Sequence, residues 1–364
     1  MKRLLAIFLL ALPLLALAKK KKYNWMNGDE DWRRVKLEWK VNPAHIGSID
    51  TALVVASNRL MQKDSLRFMC EKLQKDRLHY FFVYVKNGTW HAVHQNNLYD
   101  AIQHLPNKDR DWLVYTEGMG KVFTTDLDRG ITVGAFYGVN VLLLDYPSIH
   151  PKRKSLRNYF FAINHAKDAY RNFAPVFDTL KTLREQHLMG SGNLSVLFHS
   201  MGNNVMKEMV EHKKIRNINN TVWVDNLILN APCVKQRKHR RWVDNINFAE
   251  AIYVHYNPQD RTLFLANLVS FSKQLGEQVK NPISDKAIYI NFNTVAGENH
   301  SNFLPNYRNG ANKPEVFEHY RTLFHGSQVK PGDNKRYVPT TYHKIGWDLL
   351  PDEGINETNQ ASIR

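Results

Sequence analysis

Three residues stand in an order that suits acyl transfer: Ser200, Asp260 and His300. A serine hydroxyl is a poor nucleophile at neutral pH. It needs an imidazole to take its proton and a carboxylate to hold that imidazole in the right tautomer. Ser200 lies in the stretch Asn193-Leu194-Ser195-Val196-Leu197-Phe198-His199-Ser200-Met201-Gly202-Asn203-Asn204-Val205-Met206. An apolar run with β-branched character ends at a small polar residue, and Gly202 and apolar positions at helical spacing follow at once. That pattern fits a nucleophile elbow, a strand, sharp turn and helix that lift a serine above the end of a sheet. Of the usual G-x-S-x-G, only Gly202 is kept, and Phe198 replaces the first glycine. Locally the stretch fits an ordinary strand-to-helix turn equally well. Alone, Asp260 reads as a loop carboxylate pairing with Arg261 or capping a helix, and His300 as an exposed imidazole. The ordered trio, each member beyond a predicted strand end, favours the catalytic reading.

A tetrahedral oxyanion needs two convergent backbone N–H groups. One is expected from Met201, directly after the serine. The other is expected from Met119, in the loop Thr116-Glu117-Gly118-Met119-Gly120, where Gly118 permits a tight turn. Glu117 either repels developing charge there or turns away and holds the loop. His199 adjoins the serine, but neighbours on a strand end point opposite ways, so it reads as support for the elbow and not as the base.

These residues must be positioned by a sheet. Strands are predicted at 51–56, 79–85, 89–93, 111–115, 139–146, 193–199, 224–230, 249–256 and 286–292, and short helices at 64–75 and 99–104. Asn87-Gly88 supplies a hairpin turn. Val139 to Tyr146 is almost continuously apolar, as expected for a strand covered on both faces. Helical stretches follow Gly120 and span Asn158 to Gln186, where Pro175 is expected to kink or split the helix; a closing helix spans Pro314 to Phe324. The alternation predicts an α/β fold with one doubly wound, mostly parallel sheet in three layers, whose functional residues lie beyond the carboxyl ends of the strands.

Over residues 50 to 320 these segments resemble a bacterial family of α/β-hydrolases of uncharacterised function. The matching residues are Ser57-Asn58-Arg59, Glu117-Gly118-Met119, Tyr146-Pro147-Ser148, Phe198-His199-Ser200-Met201-Gly202-Asn203, Ala231-Pro232-Cys233, Asp260-Arg261-Thr262-Leu263 and Asn299-His300-Ser301-Asn302-Phe303. The resemblance implies an α/β-hydrolase fold, with Ser200 as nucleophile, Asp260 as acid, His300 as base and acyl-ester hydrolysis. The chain departs from the family pattern at Glu117 (His), Phe198 (Ala), Tyr146 (Trp) and Cys233 (Asp).

Lys2 and Arg3 precede an apolar run from Leu4 to Leu17, and Ala16-Leu17-Ala18 is a small-x-small cleavage site. Residues 1–18 therefore read as a secretory signal peptide, with an uncleaved anchor as the rival, although the run is shorter than a membrane span requires. Four parts are expected: this leader, a basic arm at 19–48 with Trp25, Trp32 and Trp39, a hydrolase domain at 49–327, and a polar tail at 328–364. The net charge of +16 is concentrated partly at Lys19–Lys22, Arg33-Arg34 and Lys235–Arg241. It serves solubility or favours anionic envelope surfaces; no basic and aromatic interleaving suggests nucleic acid. Cys70 and Cys233 form no CxxC pair and are read as two buried thiols, with one disulfide as the alternative. The leading expectation is an exported serine esterase or lipase-like hydrolase acting on a small-molecule or lipid ester, with no metal or organic cofactor. The alternatives are a degenerate hydrolase fold that binds glycan or lipid, and a structural envelope protein.

Overall fold

The computed structural model describes residues 26–305, 311–333 and 335–352. The leader at 1–18 and Trp25 of the arm lie outside these residues. One sheet carries β1 (Val35–Glu38), β2 (Thr51–Ser57), β5 (His79–Lys86), β6 (Thr89–Gln95), β7 (Trp112–Thr116), β8 (Asn140–Asp145) and β9 (Leu194–His199). It continues with β10 (Val224–Asn230), β11 (Ala249–Tyr256), β12 (Ala287–Asn291), β13 (Tyr337–Pro339) and β14 (Trp347–Leu349), while β3 (Arg59–Met61) and β4 (Met69–Leu73) form a separate hairpin. The order across the sheet is β1-β6-β5-β2-β8-β7-β9-β10-β11-β12-β14-β13. Only β5 and β13 run against the rest. Parallel neighbours put all their carboxyl ends at one edge, and the chain reverses its winding direction between β7 and β9. That switch point opens a crevice where ligands bind in such sheets.

The helices are α1 (Asp29–Arg33), α2 (Leu98–Gln103), α3 (Phe123–Tyr137), α4 (Ser155–Glu185), α5 (Asn203–Glu211), α6 (Arg240–Val243), α7 (Arg261–Ser270), α8 (Asn293–Ala296) and α9 (Pro314–Phe324). They cover both faces. Alternate residues of one strand serve different cores: Leu142 and Leu144 of β8 pack with α2, α4, α5 and α7, whereas Val141 and Leu143 pack with α1, α3 and α9. This explains the continuous apolar runs of β8 and β9, whose twelve residues are all buried. Polar exceptions have partners; Ser195 of β9 donates to the Leu323 carbonyl at 2.6 Å and so receives the C-terminal turn of α9.

The architecture is the expected three-layered α/β one, and four local features differ from the sequence-based expectation. Residues 64–75 form no helix; Met69–Leu73 is β4 of a hairpin with β3. The stretch 26–48, read from the sequence as an arm without a strand, contributes β1, which pairs with β6 and extends the sheet. The stretch 328–352 likewise adds β13 and β14 beside β12. Pro175 leaves α4 unbroken from 155 to 185. Its ring lies on the exposed side, so the missing N–H falls where water is available, and Phe173, Val176, Phe177 and Leu180 anchor the helix on both sides of it. Cys70 and Cys233 are both free thiols, and only Cys233 is buried as expected; Cys70, on the two-stranded hairpin, is half-buried. Burial pushes the Cys233 thiol up to about 12.

Arg59 ties the carboxyl edge together. Its Nε lies 2.8 Å from Asp145 Oδ1, its Nη1 2.5 Å from Glu71, and its Nη2 donates to the carbonyls of Tyr146 (2.8 Å) and Lys121 (3.1 Å). The guanidinium is wholly buried. Burial favours the neutral form, but Asp145, Glu71 and Asp126 overcome it and raise its pKa above the ordinary arginine value. Removing this cation would strand buried carboxylates, which typically costs 3–5 kcal/mol. Arg59→Met is therefore expected to lower the unfolding free energy by about 3–5 kcal/mol in urea titrations; a loss below about 1 kcal/mol would show that the carboxylates do not depend on it.

Candidate active site

Ser200 directly follows β9 in a left-handed conformation, φ = 53°. That region disfavours side chains with a Cβ, so surrounding contacts must hold it. Cys233 N donates to the Ser200 carbonyl at 3.0 Å. The Asn203 amide donates to the carbonyls of Phe198 (2.8 Å) and Ser200 (3.0 Å), and the Asn204 amide to those of Met201 (3.0 Å) and Cys233 (3.1 Å). Gly202 is required by close approach. A Cβ there would lie 2.6 Å from the Glu117 carbonyl oxygen. Phe198, standing where a glycine is usual, turns into the core and stacks on Phe177 of α4 with centroids 6.2 Å apart. The turn therefore tolerates it.

The structure brings the three predicted residues together. Ser200 Oγ is 2.7 Å from His300 Nε2, and His300 Nδ1 is 2.6 Å from Asp260 Oδ2. Asp260 follows β11 and His300 follows β12 and α8, both at the carboxyl edge. Asp260 is fully buried, and its second oxygen caps α7 by accepting from Leu263 N at 3.0 Å. Helix capping and imidazole binding thus use different oxygens of one carboxylate. Arg261, the alternative partner, faces Glu298 instead at 3.5 Å.

The loop after β7 packs directly on the serine: a Cβ on Gly118 would lie 2.6 Å from Ser200 Cβ and 3.2 Å from Met201 N. Glu117 turns its carboxylate into the protein. Tyr115 OH donates to it at 2.6 Å, Arg129 at 2.5 Å and the Gly118 N–H at 2.6 Å, with Lys121 Nζ at 3.7 Å. Burial would raise its pKa, yet Arg129 and Lys121 hold it well below the usual carboxylate range. Two further N–H groups after the turn are engaged, Gly120 with the Ser148 carbonyl (3.2 Å) and Lys121 with Ser148 Oγ (2.9 Å). Between these commitments lies the N–H of Met119.

Beneath the serine runs a chain of neutral polar groups. Tyr337 OH meets His319 Nδ1 at 2.8 Å, His319 Nε2 meets His255 Nε2 at 3.1 Å, and His255 Nδ1 meets Asn230 Oδ1 at 3.1 Å. Asn230 Nδ2 then donates to His199 Nδ1 at 3.0 Å, which leaves His199 Nε2–H for Ser301 Oγ at 3.2 Å. One direction of donation satisfies every member only while all three imidazoles are neutral. Burial holds His199 and His255 well below the ordinary histidine pKa and pushes His319 down to about 3. His199 therefore braces the His300 loop through Ser301 and makes no bond to Ser200, as its strand position implied.

Sequence reasoning missed Arg129, Tyr115 and Ser301, which join the two loops: Arg129 Nη1 touches Glu117 and lies 3.4 Å from Ser301 Oγ. A charge at Arg129 on the buried face of α3, beside Leu127, Gly130 and Val133, was the available signal.

A mostly parallel sheet clad on both faces, with a strained serine turn at its carboxyl edge, defines an α/β hydrolase. The chain belongs to the family described as alpha/beta hydrolase of unknown function (DUF900), whose model matches residues 95–296. No curated protein and no solved structure matches it significantly.

The neutral histidine chain makes the fold acid-sensitive. Unfolded histidines bind protons below a pH of about 6.5 while the buried ones do not, so the unfolded state binds more protons and stability falls with falling pH. Between pH 7 and pH 5 each such histidine is expected to cost about 2 kcal/mol. Urea unfolding of His319→Gln at both values should show a pH dependence smaller by about 2 kcal/mol; an unchanged difference would contradict burial of a neutral His319.

Proposed function

We propose that this protein is an exported serine hydrolase that cleaves carboxylic esters through an acyl-enzyme intermediate. The observation that carries the reading is the unbroken series Ser200 Oγ–His300 Nε2 (2.7 Å) and His300 Nδ1–Asp260 (2.6 Å). In this reading His300 takes the hydroxyl proton as Ser200 Oγ attacks the ester carbonyl. Asp260 keeps Nδ1 protonated and stabilises the imidazolium. The backbone N–H groups of Met201 and Met119 receive the oxyanion. The tetrahedral intermediate collapses as His300 returns its proton to the leaving alcohol. Water, deprotonated by His300, then releases the acid and regenerates Ser200.

The engagement of Glu117 by Tyr115, Arg129 and the Gly118 N–H supports an active site over a degenerate one. Its charge is matched by cations and its side chain secures the loop that would offer Met119. Export rests on the leader at residues 1–18.

A fluorophosphonate probe is expected to label the parent and to leave Ser200→Ala unlabelled. Asp260→Asn should lower kcat on a short soluble ester by roughly 10³–10⁴ with the fold retained. A folded parent that takes up no probe and turns over no ester would refute the proposal.

A further inference from the structure

Two helices that begin at the carboxyl edge of the sheet carry large, exposed apolar side chains. Leu156 and Phe160 near the start of α4 are 56 % and 50 % exposed; Phe264, Leu265, Leu268 and Phe271 along and after α7 are 48, 48, 49 and 76 % exposed. Leu156 and Phe160 lie at i, i+4 in α4, and Phe264 and Leu268 at i, i+4 in α7, so each pair shares one helix face. Phe271 follows the last residue of α7 as its C-cap, at φ = 51°. A bulky residue in that conformation is an outlier, and here it projects the most exposed ring of the group.

The two helices cover the same face of the sheet: Tyr159 of α4 and Leu263 and Ala266 of α7 are buried in the core that also holds Cys233. The segment after β10 is stitched to both neighbours: Cys233 N donates to the Ser200 carbonyl, and Gln236 N to the Lys273 carbonyl at 2.9 Å. Charge follows the same pattern. Segments 147–161, 231–243 and 261–276 hold eleven lysines and arginines and no aspartate or glutamate. Salt bridges take up Arg240, Arg261 and Lys273, but among the described residues none engages Lys152, Arg153, Lys154 or Arg157. Arg153 lies over the Phe161 ring at 4.7 Å, and with Arg157 it lines a groove floored by Phe160 and Phe161.

Exposed apolar side chains flanked by unneutralised cations match the headgroup region of an anionic bilayer, where apolar groups enter the acyl boundary and cations meet lipid phosphates. We propose that this face docks on an anionic phospholipid membrane and that the ester cleaved is an acyl ester held in that membrane. The docking stands on the surface alone; the substrate class rests on the esterase reading.

The test uses the mature chain carrying Ser200→Ala, which separates binding from turnover. It should cosediment with phosphatidylcholine vesicles containing roughly 30 mol % phosphatidylglycerol and bind pure phosphatidylcholine at least about tenfold more weakly. Adding Leu268→Asp and Phe271→Asp should cut binding to the anionic vesicles by about tenfold or more. Adding Arg153→Glu and Arg157→Glu should abolish the preference for them, with circular dichroism melts showing that each variant folds. Folded protein that ignores both vesicle types, or binds them equally, overturns the proposal. So does a stable dimer in sedimentation that Phe271→Asp dissolves, because the face would then be covered by a second copy. Turnover of a short soluble ester by the parent, without vesicles, reports separately on the esterase reading: if it fails while anionic vesicles are still bound, docking stands and the substrate class falls.

Discussion

Ser200 sits at φ = 53° directly after a parallel strand, and much of the carboxyl edge is arranged so that this one residue can stay there. An L-residue with a Cβ pays to enter the left-handed region, and the polypeptide leaves it unless neighbouring groups over-determine the turn. Here they do. Backbone packs against Gly202 from one side and Gly118 against the serine from the other, while Asn203, Asn204 and Cys233 N bind the carbonyls that the turn would otherwise leave unpaired. The consequence is chemical: the hydroxyl stands beyond the sheet, within reach of His300.

Around this turn the protein uses two different solutions to the problem of buried polarity. The loop after β7 is held by ions, with Glu117 matched to Arg129 and Arg59 matched to Asp145 and Glu71. Fixed charges suit a loop packed directly against the serine turn, because their removal is costly. The support beneath His300 is neutral, a one-way series of donors from Tyr337 to Ser301. A neutral network keeps charge out of this buried space, where the His199 ring lies 4.7 Å from that of His300. Ser301 and Arg129 connect the two systems, so the loops bearing Gly118 and His300 are held relative to one another as well as to the sheet.

The departures from the familiar elbow pattern have local explanations. Phe198 occupies a position whose side chain enters the core above α4, where Phe177 receives it. Glu117 resembles a liability only while its partners are unknown. Its acceptor capacity is met from within the protein, by Tyr115, by Arg129 and by the backbone of the next residue.

Much of this was legible in the residues alone. Apolar runs of strand length, separated by helical periods, specify a parallel sheet covered on both faces, and chain order with strand ends suffices to single out Ser200, Asp260 and His300. Such features are local, and local patterns survive in a one-dimensional reading. The pairing of β1 with β6, and of β14 with β12, was not legible, because short polar strands gain their stability from a neighbour's open edge and not from their own composition. Residues 64–75 look helical by content, yet Met69–Leu73 pairs with the strand that carries Arg59. The partners of Glu117 come from α3 and β7, and those of His199 from β10 and the loop after α8. Only tertiary structure decides them, since a buried charge or imidazole is stabilised by whatever the fold sets against it, at any distance along the chain. The sequence by itself determined which three side chains stand at the strand ends in the order Ser200, Asp260, His300. The fold decided what holds them at bonding distance, and which apolar residues were left facing outward.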